Sequence, residues 1–199
     1  MNEEIIIRRG KKEDASFIGL TVTEAMGHEL CVGLAEGEEN LPKVLKLFTE
    51  LAATDTAQYS YTNALISVNK EGEPIGAIIG YDGAGLREMR KEFIAKANEL
   101  LDWNVTVEEA DNWEPETNSD EVYLDSLYVK PEYRNQGIAT SLIKEAIKRY
   151  KDLGKPYGLL VVPHNLKAHK LYKKLGFKED GMNNFCGEPM LHLTLPPYP

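Results

Sequence analysis

The chain has 199 residues, of which 42% are hydrophobic and 28% charged. These are the proportions of a folded protein, with enough length for one domain and a sizeable core. Its 23 Lys and Arg stand against 32 Asp and Glu, a net of −9, which argues against a protein that grips nucleic-acid phosphates.

No apolar run approaches the ~18–20 residues that span a bilayer. The opening Met-Asn-Glu-Glu-Ile-Ile-Ile is acidic and then strand-like, unlike a signal or transit peptide. The expectation is a cytoplasmic protein with no membrane partner. Cys31 and Cys186 form no C-x-x-C pair, and no Cys/His cluster has zinc spacing. A disulfide framework and a metal site are both unexpected.

Residues 4–8 read as a strand, followed by a helix at 12–26 with Ile18, Val22 and Ala25/Met26 on one face. The stretch 27–41 reads as a glycine- and glutamate-rich loop. Pro42 opens a helix with Val44, Leu47/Phe48 and Leu51 inward. Residues 62–69 and 74–80 form a hairpin around Asn69-Lys70-Glu71-Gly72-Glu73. A third helix, 84–101, carries Leu86, Met89, Phe93, Ala97 and Leu100/Leu101 at helical spacing. The segment 102–120 has no clear period. Residues 121–129, Glu-Val-Tyr-Leu-Asp-Ser-Leu-Tyr-Val, are the strongest strand in the chain. A helix at 136–152, a buried strand at 157–162, a helix at 165–175 and strands near 177–181 and 188–195 complete one α/β domain with a mixed sheet.

Charge is segregated along the chain. Residues 102–121 hold eight acidic side chains and no basic one, whereas residues 122–181 hold twelve Lys/Arg against six Asp/Glu. The basic stretch suits an anionic ligand and the acidic one a cationic ligand, although a charge run also fits a solvated face.

Within the basic stretch, the strand ending at Val129 runs into Lys-Pro-Glu-Tyr-Arg-Asn-Gln-Gly-Ile-Ala-Thr and then a long amphipathic helix. Such a strand–turn–helix passage makes an anion site, because the unpaired N–H groups and dipole of the first helical turn face outward. Gly137 allows close approach to the backbone, and Arg134 carries a fixed charge suited to phosphate. The spacing matches neither a G-x-x-x-x-G-K-[ST] nor a G-x-G-x-x-G loop, which removes NTPase and dinucleotide oxidoreductase readings.

Arg134-Asn135-Gln136-Gly137-Ile138-Ala139 resembles the [Q/R]-x-x-G-x-[G/A] signature of the GNAT acyltransferase superfamily, preceded by Leu127-Tyr128-Val129 in the position of its central strand. The block from Asn165 to Phe177 is similar to the superfamily's N-x-x-A-x-x-L-Y-x-x-x-G-F helix. The resemblance covers about residues 120–180. It implies a mixed, mostly antiparallel central sheet flanked by helices, with the helical and acidic residues 81–120 inserted before the central strand. It also implies acetyl-CoA as cosubstrate, acetyl transfer to an amine by direct attack in a ternary complex, and the possibility of a homodimer.

Carried over position by position, the amides of Gln136, Gly137, Ile138 and Ala139 would cradle a pyrophosphate, with Arg134, Asn135 and Thr140 in the same loop and turn. The backbone of Leu127 and Val129, flanking Tyr128, would pair with the pantetheine arm, and Asn165 would touch that arm from the other side. The Val129 N–H would donate to the thioester carbonyl.

Aminolysis of a thioester needs a neutral amine, a donor for the developing oxyanion and a proton for the leaving thiolate. Tyr172 occupies the superfamily's acid position; it also fits simple packing beside Ala168, Leu171 and Leu175. Period-two alternation places Glu121, Tyr123 and Asp125 on one strand face. The run Leu124-Asp125-Ser126-Leu127-Tyr128-Val129 is similar to the L-E-D-F-F-V of diamine acetyltransferases, which makes Asp125 the candidate base against a structural or substrate-binding carboxylate. Glu121 is weaker. The position of the histone-type glutamate falls on Tyr123.

The inserted residues 81–120 depart from the superfamily pattern. Trp103, Trp113 and seven carboxylates between Asp102 and Asp120 could hold a cationic acceptor at the cleft. A solvated loop anchored by two buried indoles, or a dimer contact, fits equally. The expected acceptor is a small-molecule amine; a protein or peptide N-acetyltransferase, or a non-catalytic acyl-CoA sensor, are the alternatives. A small-molecule enzyme should show a capped pocket, and a protein acetyltransferase an open groove.

Overall fold

The computed structural model describes residues 5–197. In chain order its elements are β1 (Ile6–Arg9), α1 (Ala15–Met26), α2 (His28–Ala35), α3 (Leu41–Ala52), β2 (Ala64–Val68) and β3 (Pro74–Asp82), followed by α4 (Leu86–Leu101), α5 (Val107–Ala110) and β4 (Val122–Val129). Then come α6 (Ile138–Tyr150), β5 (Tyr157–Val161), α7 (Leu166–Lys174), β6 (Lys178–Phe185) and β7 (Glu188–Leu195). The expected strand at 4–8 is realised as β1, and Glu4 lies outside the described residues.

The strands form one sheet in the order β1-β2-β3-β4-β5-β7-β6. Every pairing is antiparallel except β4 with β5. Helices cover both faces. On one, Ile18 and Val22 of α1 and Leu47, Phe48 and Leu51 of α3 pack with Ile66, Ile79 and Tyr81 of the sheet. On the other, Leu142, Ile143 and Ala146 of α6 pack with Ile78, Val122, Leu124 and Leu159. The Val, Leu, Ile and Phe side chains among them stabilise by roughly 1.5–3 kcal/mol each when fully buried. No helix among the described residues is long and apolar enough to cross a membrane.

The stretch 27–41 is not the loop that its glycines predict. After Gly27, at φ 85°, the chain turns into α2. Cys31 and Ala35, four residues apart, are buried by that helix. Gly27 breaks α1 from α2, but Gly33 within the segment does not prevent a two-turn helix that packs on its neighbours.

In the inserted segment, α4 lies against α3, where Phe48 and Phe93 stack at 6.3 Å and Lys96 reaches Glu50 at 3.0 Å. The aperiodic part contains α5, a single turn capped reciprocally by Thr106 and Glu109. Further on, β6 runs past its expected end at 181 to a two-residue turn at Cys186 (φ 52°) and Gly187 (φ 86°) that leads into β7. Both central residues at positive φ fit a tight hairpin turn. Most of β6 is exposed at the sheet edge, so it carries no apolar alternation to mark it.

Candidate active site

The site begins with a strand that parts from its neighbour. β4 pairs with β5 only at Val122–Tyr157 and Tyr123–Gly158, and beyond Tyr123 the two diverge. A bulge on the β3 side helps turn β4: Ile79 faces Ser126 and Gly80 faces Leu124, leaving Asp125 as the extra residue. The Lys130 N–H bonds Ile75 O of β3 at 2.9 Å. Backbone direction alternates along a strand, so the N–H groups of Leu127 and Val129 point the other way, into the opening.

The chain next enters the turn before α6. Asn135 (φ 61°) and Gly137 (φ 86°) are both left-handed, a backbone arrangement that gathers successive N–H groups toward one side. Ser141 N–H is the first to find a helical carbonyl, Gly137 O at 3.0 Å; the amides of Ile138, Ala139 and Thr140 ahead of it make no backbone hydrogen bond among the described residues. A Cβ on Gly137 would meet nothing within 4 Å, so the space before these amides is open. Free donors, a helix dipole and room for a ligand fit a pyrophosphate.

One cavity of about 580 Å³ joins this turn to the parted strands. Of the residues singled out in the sequence, Asp125, Leu127, Tyr128, Val129, Arg134, Asn135, Gly137, Ile138, Ala139, Thr140, Asn165 and Tyr172 line it. Gln136 does not; its side chain folds back to donate to Glu132 O at 3.3 Å. Arg134 has already committed its Nε to Val129 O at 2.9 Å, and its guanidinium lies over the Tyr128 ring. It therefore ties the loop to the strand end as well as lending charge to the cavity. Asn165 caps α7, its Oδ1 accepting from Ala168 N–H at 3.1 Å. Its amide nitrogen remains for other partners.

Asp125 accepts from Tyr81 Oη at 2.7 Å and from Ser126 Oγ at 2.7 Å. Burial, with the nearby charge of Glu116, pushes its carboxyl up to about 7 despite those two donors. Tyr172, half-buried on α7, sets its ring edge-on to Phe177 with centroids 5.7 Å apart. Burial pushes its phenol up to about 12, and its hydroxyl has no hydrogen-bond partner among the described residues.

Glu121 shares the strand face of Tyr123 but does not line the cavity. It is 2% exposed and bonded by Thr117 Oγ1 at 2.7 Å, Asn118 N–H at 3.0 Å and His192 Nε2 at 3.1 Å. A Cβ on Gly158 would sit 2.2 Å from Glu121 Oε2, so glycine makes room for this carboxylate. Glu121 is thus a structural anion paired with His192, not a free base.

The cavity's remaining walls were not legible in the sequence. Glu24 and Met26 of α1, Leu30 of α2, Tyr59, Glu116, Phe185 and Met190 line it. Glu116 carried a signal as one member of the acidic run, and Met26 as part of the apolar face of its helix. The indoles play another part. Trp103 packs on the core and meets Trp113 edge-on at 6.3 Å, while the Trp113 face is taken by Arg90. Neither indole reaches the cavity.

Residues 35–177 match the model of the acetyltransferase (GNAT) family. The chain belongs to the GNAT family. Over 80 residues this GNAT chain is 40% identical to thialysine N-epsilon-acetyltransferase of Sus scrofa, a match covering 37% of this chain and 47% of the relative. The same protein of Bos taurus is 42% identical over 80 residues, with the same coverage. The chain therefore spans about half the length of these curated relatives. Across nearly its whole length, the GNAT fold seen here is similar to a solved acetyltransferase structure (TM-score 0.73, 26% identity, 97% of this chain and 100% of that one). It is also similar to an N-acetyltransferase from Staphylococcus aureus Mu50 (TM-score 0.72, 25% identity, 96% and 100%).

Proposed function

We propose that this protein is an N-acetyltransferase that moves an acetyl group from acetyl-CoA to the primary amine of a small molecule, by direct attack in a ternary complex. One observation carries the reading: the cavity that takes in the amide-lined turn of α6 and the parted strands also takes in Asp125 and Tyr172. A cradle for a phosphorylated thioester and two proton-transfer groups share one continuous space.

Acetyl-CoA, when bound, supplies a thioester whose C–S bond breaks as the amine N–C bond forms. The amides of Gly137, Ile138, Ala139 and Thr140 hold its pyrophosphate, and the outward backbone of Leu127 and Val129 pairs with its pantetheine arm. The Val129 N–H donates to the thioester carbonyl. Asp125 accepts the proton that the attacking amine gives up; a carboxyl near 7 is ionised often enough to accept and basic enough to hold it. Tyr172 gives a proton to the departing sulfur. Its phenol, held protonated by burial, is loaded for that transfer throughout the neutral range.

The acceptor end supports a small molecule over a protein chain. Met26 and Leu30 wall it from α1 and α2, Glu116 from the inserted segment and Phe185 from the β6–β7 hairpin, whereas a polypeptide would need an open groove. The curated relatives are named for the Nε of thialysine, also a small primary amine.

The test is CoA thiol release from acetyl-CoA across a panel of alkylamines, amino acids, aminoglycosides and short peptides. Release with small amines, cut sharply in Tyr172→Phe, is the expected result. Release confined to peptides would move the assignment to a protein acetyltransferase. Tight acetyl-CoA binding without release would favour an acyl-CoA sensor.

A further inference from the structure

The two walls of the gap beside β4 are joined over a very short distance. β4 and β5 share the ladder pairs Val122–Tyr157 and Tyr123–Gly158, and past Gly158 they part. One wall carries Asp125 to Val129 of β4; the other carries Leu160 and Val161 of β5, with Met190 on the adjoining strand β7. So short a ladder does little to fix the angle between two strands.

A side-chain tie sits at the closed end of the gap. Glu121, the residue before β4, is 2% exposed. Its Oε1 accepts from Thr117 Oγ1 at 2.7 Å and from Asn118 N–H at 3.0 Å. His192 Nε2 lies 3.2 Å from the same oxygen and 3.1 Å from Oε2. His192 belongs to β7, so the bond skips a strand: β5 runs between the two partners.

Gly158 of β5 makes that span possible. A Cβ there would stand 2.2 Å from Glu121 Oε2 and 2.3 Å from its Cδ, so the carboxylate lies directly against the β5 backbone. The far end of the tie is also informative. His192 is 3% exposed and faces Leu160 in the β5–β7 ladder, beyond the last β4–β5 pair. The tie therefore runs from the root of one wall to the part of the sheet that forms the other. A buried ion pair adds little net stability over apolar packing, and its best-attested use is to hold one geometry among several.

We propose that Glu121, bonded to His192 across Gly158, sets the separation of β4 from β5 and so positions the strand edge that receives the pantetheine arm of acyl-CoA. Glu121 is a positioning residue in this account, touching neither cofactor nor acceptor. It acts on affinity for the arm and leaves the transfer step to Asp125 and Tyr172. The proposal rests on the acyl-CoA reading of the cavity. It goes beyond family membership, because Glu121, Gly158 and His192 all stand outside the two motifs that resemble the superfamily.

The test compares, by calorimetry, CoA with its nucleotide half, 3′-phosphoadenosine 5′-diphosphate, which keeps the pyrophosphate and lacks the arm. The wild type should bind CoA at least about tenfold more tightly than the nucleotide. In Glu121→Gln, and separately in Gly158→Ala, CoA should weaken about tenfold, as when the receptive spacing is held for about a tenth of the time. Nucleotide affinity should stay within about twofold, because the amide turn is untouched. Gly158→Ala leaves every titratable group in place, so a loss shared by both variants traces to the position of the carboxylate. Asp14→Asn is the control for lost stability. That carboxylate is 5% exposed, bonded by Arg8 at 2.6 Å and outside the cavity walls, so both affinities should hold.

CoA affinity unchanged in folded Glu121→Gln and Gly158→Ala overturns the proposal. Equal weakening of CoA and nucleotide also overturns it, since that marks a general loosening. Should either variant fail to fold, Thr117→Val removes one donor to Glu121 and should show the same selective loss in smaller measure. A wild type that binds CoA no more tightly than the nucleotide would sink the acyl-CoA reading of the gap, and this proposal with it. An arm contribution present in the wild type and kept in the variants would sink the proposal alone.

Discussion

The hydroxyl of Tyr81 on β3 donates to Oδ2 of Asp125 on β4 at 2.7 Å, across the bulge that makes Asp125 the unpaired residue of its strand. The bulge frees the carboxylate from the regular ladder, and Tyr81 fixes where it points. Tyr81 packs on the sheet face covered by α1 and α3, and Asp125 beside it lines the cavity. Asp125 is thus held in place while its carboxyl remains near neutrality.

Asp125→Asn should lower kcat/KM by about 10²–10⁴, the usual contribution of a positioned base. The wild-type rate should rise through an apparent pKa near 7, and that limb should vanish in the variant. A rate that keeps the same limb in Asp125→Asn would remove Asp125 from the role of base.

Stability should move in the opposite direction. The folded-state pKa of Asp125 is raised from 3.8 to about 7, so between those values the native protein keeps a proton that the unfolded chain has lost. Stability from this group is present at low pH and declines as pH rises through that window. Asparagine carries no such penalty, so the Tm of Asp125→Asn relative to wild type should climb from pH 4 to pH 7 and then level off. A Tm difference independent of pH would contradict the assignment of the titrating group.

Tyr172→Phe removes a hydroxyl with no hydrogen-bond partner among the described residues and keeps the ring against Phe177. Thermal stability should change by less than about 0.5 kcal/mol, while kcat should fall by about tenfold to a hundredfold. With the phenol near 12, the wild-type pH profile should show no falling limb below pH 10. A stable variant with unchanged kcat would assign Tyr172 to packing.

Gly137→Ala tests the cradle. The residue sits at φ 86° with nothing within 4 Å of an added Cβ, so the cost to the fold is backbone strain, about 1 kcal/mol. The methyl would stand in the space that the free amides face. CoA affinity, read by calorimetry, should drop about tenfold or more while the Tm falls only a few degrees. Unaltered CoA binding would place the pyrophosphate elsewhere.

The Glu121–His192 pair should matter to folding and not to chemistry. Glu121 is held below the carboxylate range, its bond from His192 and those from Asn118 and Thr117 overcoming the cost of burial. His192 is raised above 6.5 chiefly by its bond to Glu121. The Glu121 contribution is present above its ordinary 4.5 and lost in acid; that of His192 is complete below 6.5 and lost as pH rises through its folded value. His192→Gln should therefore cost most between about pH 4.5 and 6.5, on the order of 3 kcal/mol. Glu121→Gln should also lower Tm yet leave kcat within about threefold. A collapse of kcat in a folded Glu121→Gln would restore it as a catalytic candidate.

The central strand, the turn from Arg134 to Ala139 and the helix that carries Tyr172 were readable from contiguous residues alone. These are contiguous runs in which alternation, a glycine at positive φ and 3.6-residue spacing act within a few bonds of one another. Asp125 was legible on the same ground, since strand parity places it on the face of Tyr123.

Tertiary structure decided what those residues meet. Glu121 obeys the same parity as Asp125, but His192, 71 residues away, locks it out of the cavity. Arg134 spends its Nε on Val129 O because the loop folds back on the strand end. Glu24, Leu30, Tyr59, Glu116 and Phe185 reach the cavity from five segments that approach one another only when the sheet and its helices close. Local backbone preference encodes the turn and its free amides. The burial and Coulomb fields inside the cavity arise between distant side chains, where no short spacing in the sequence records them.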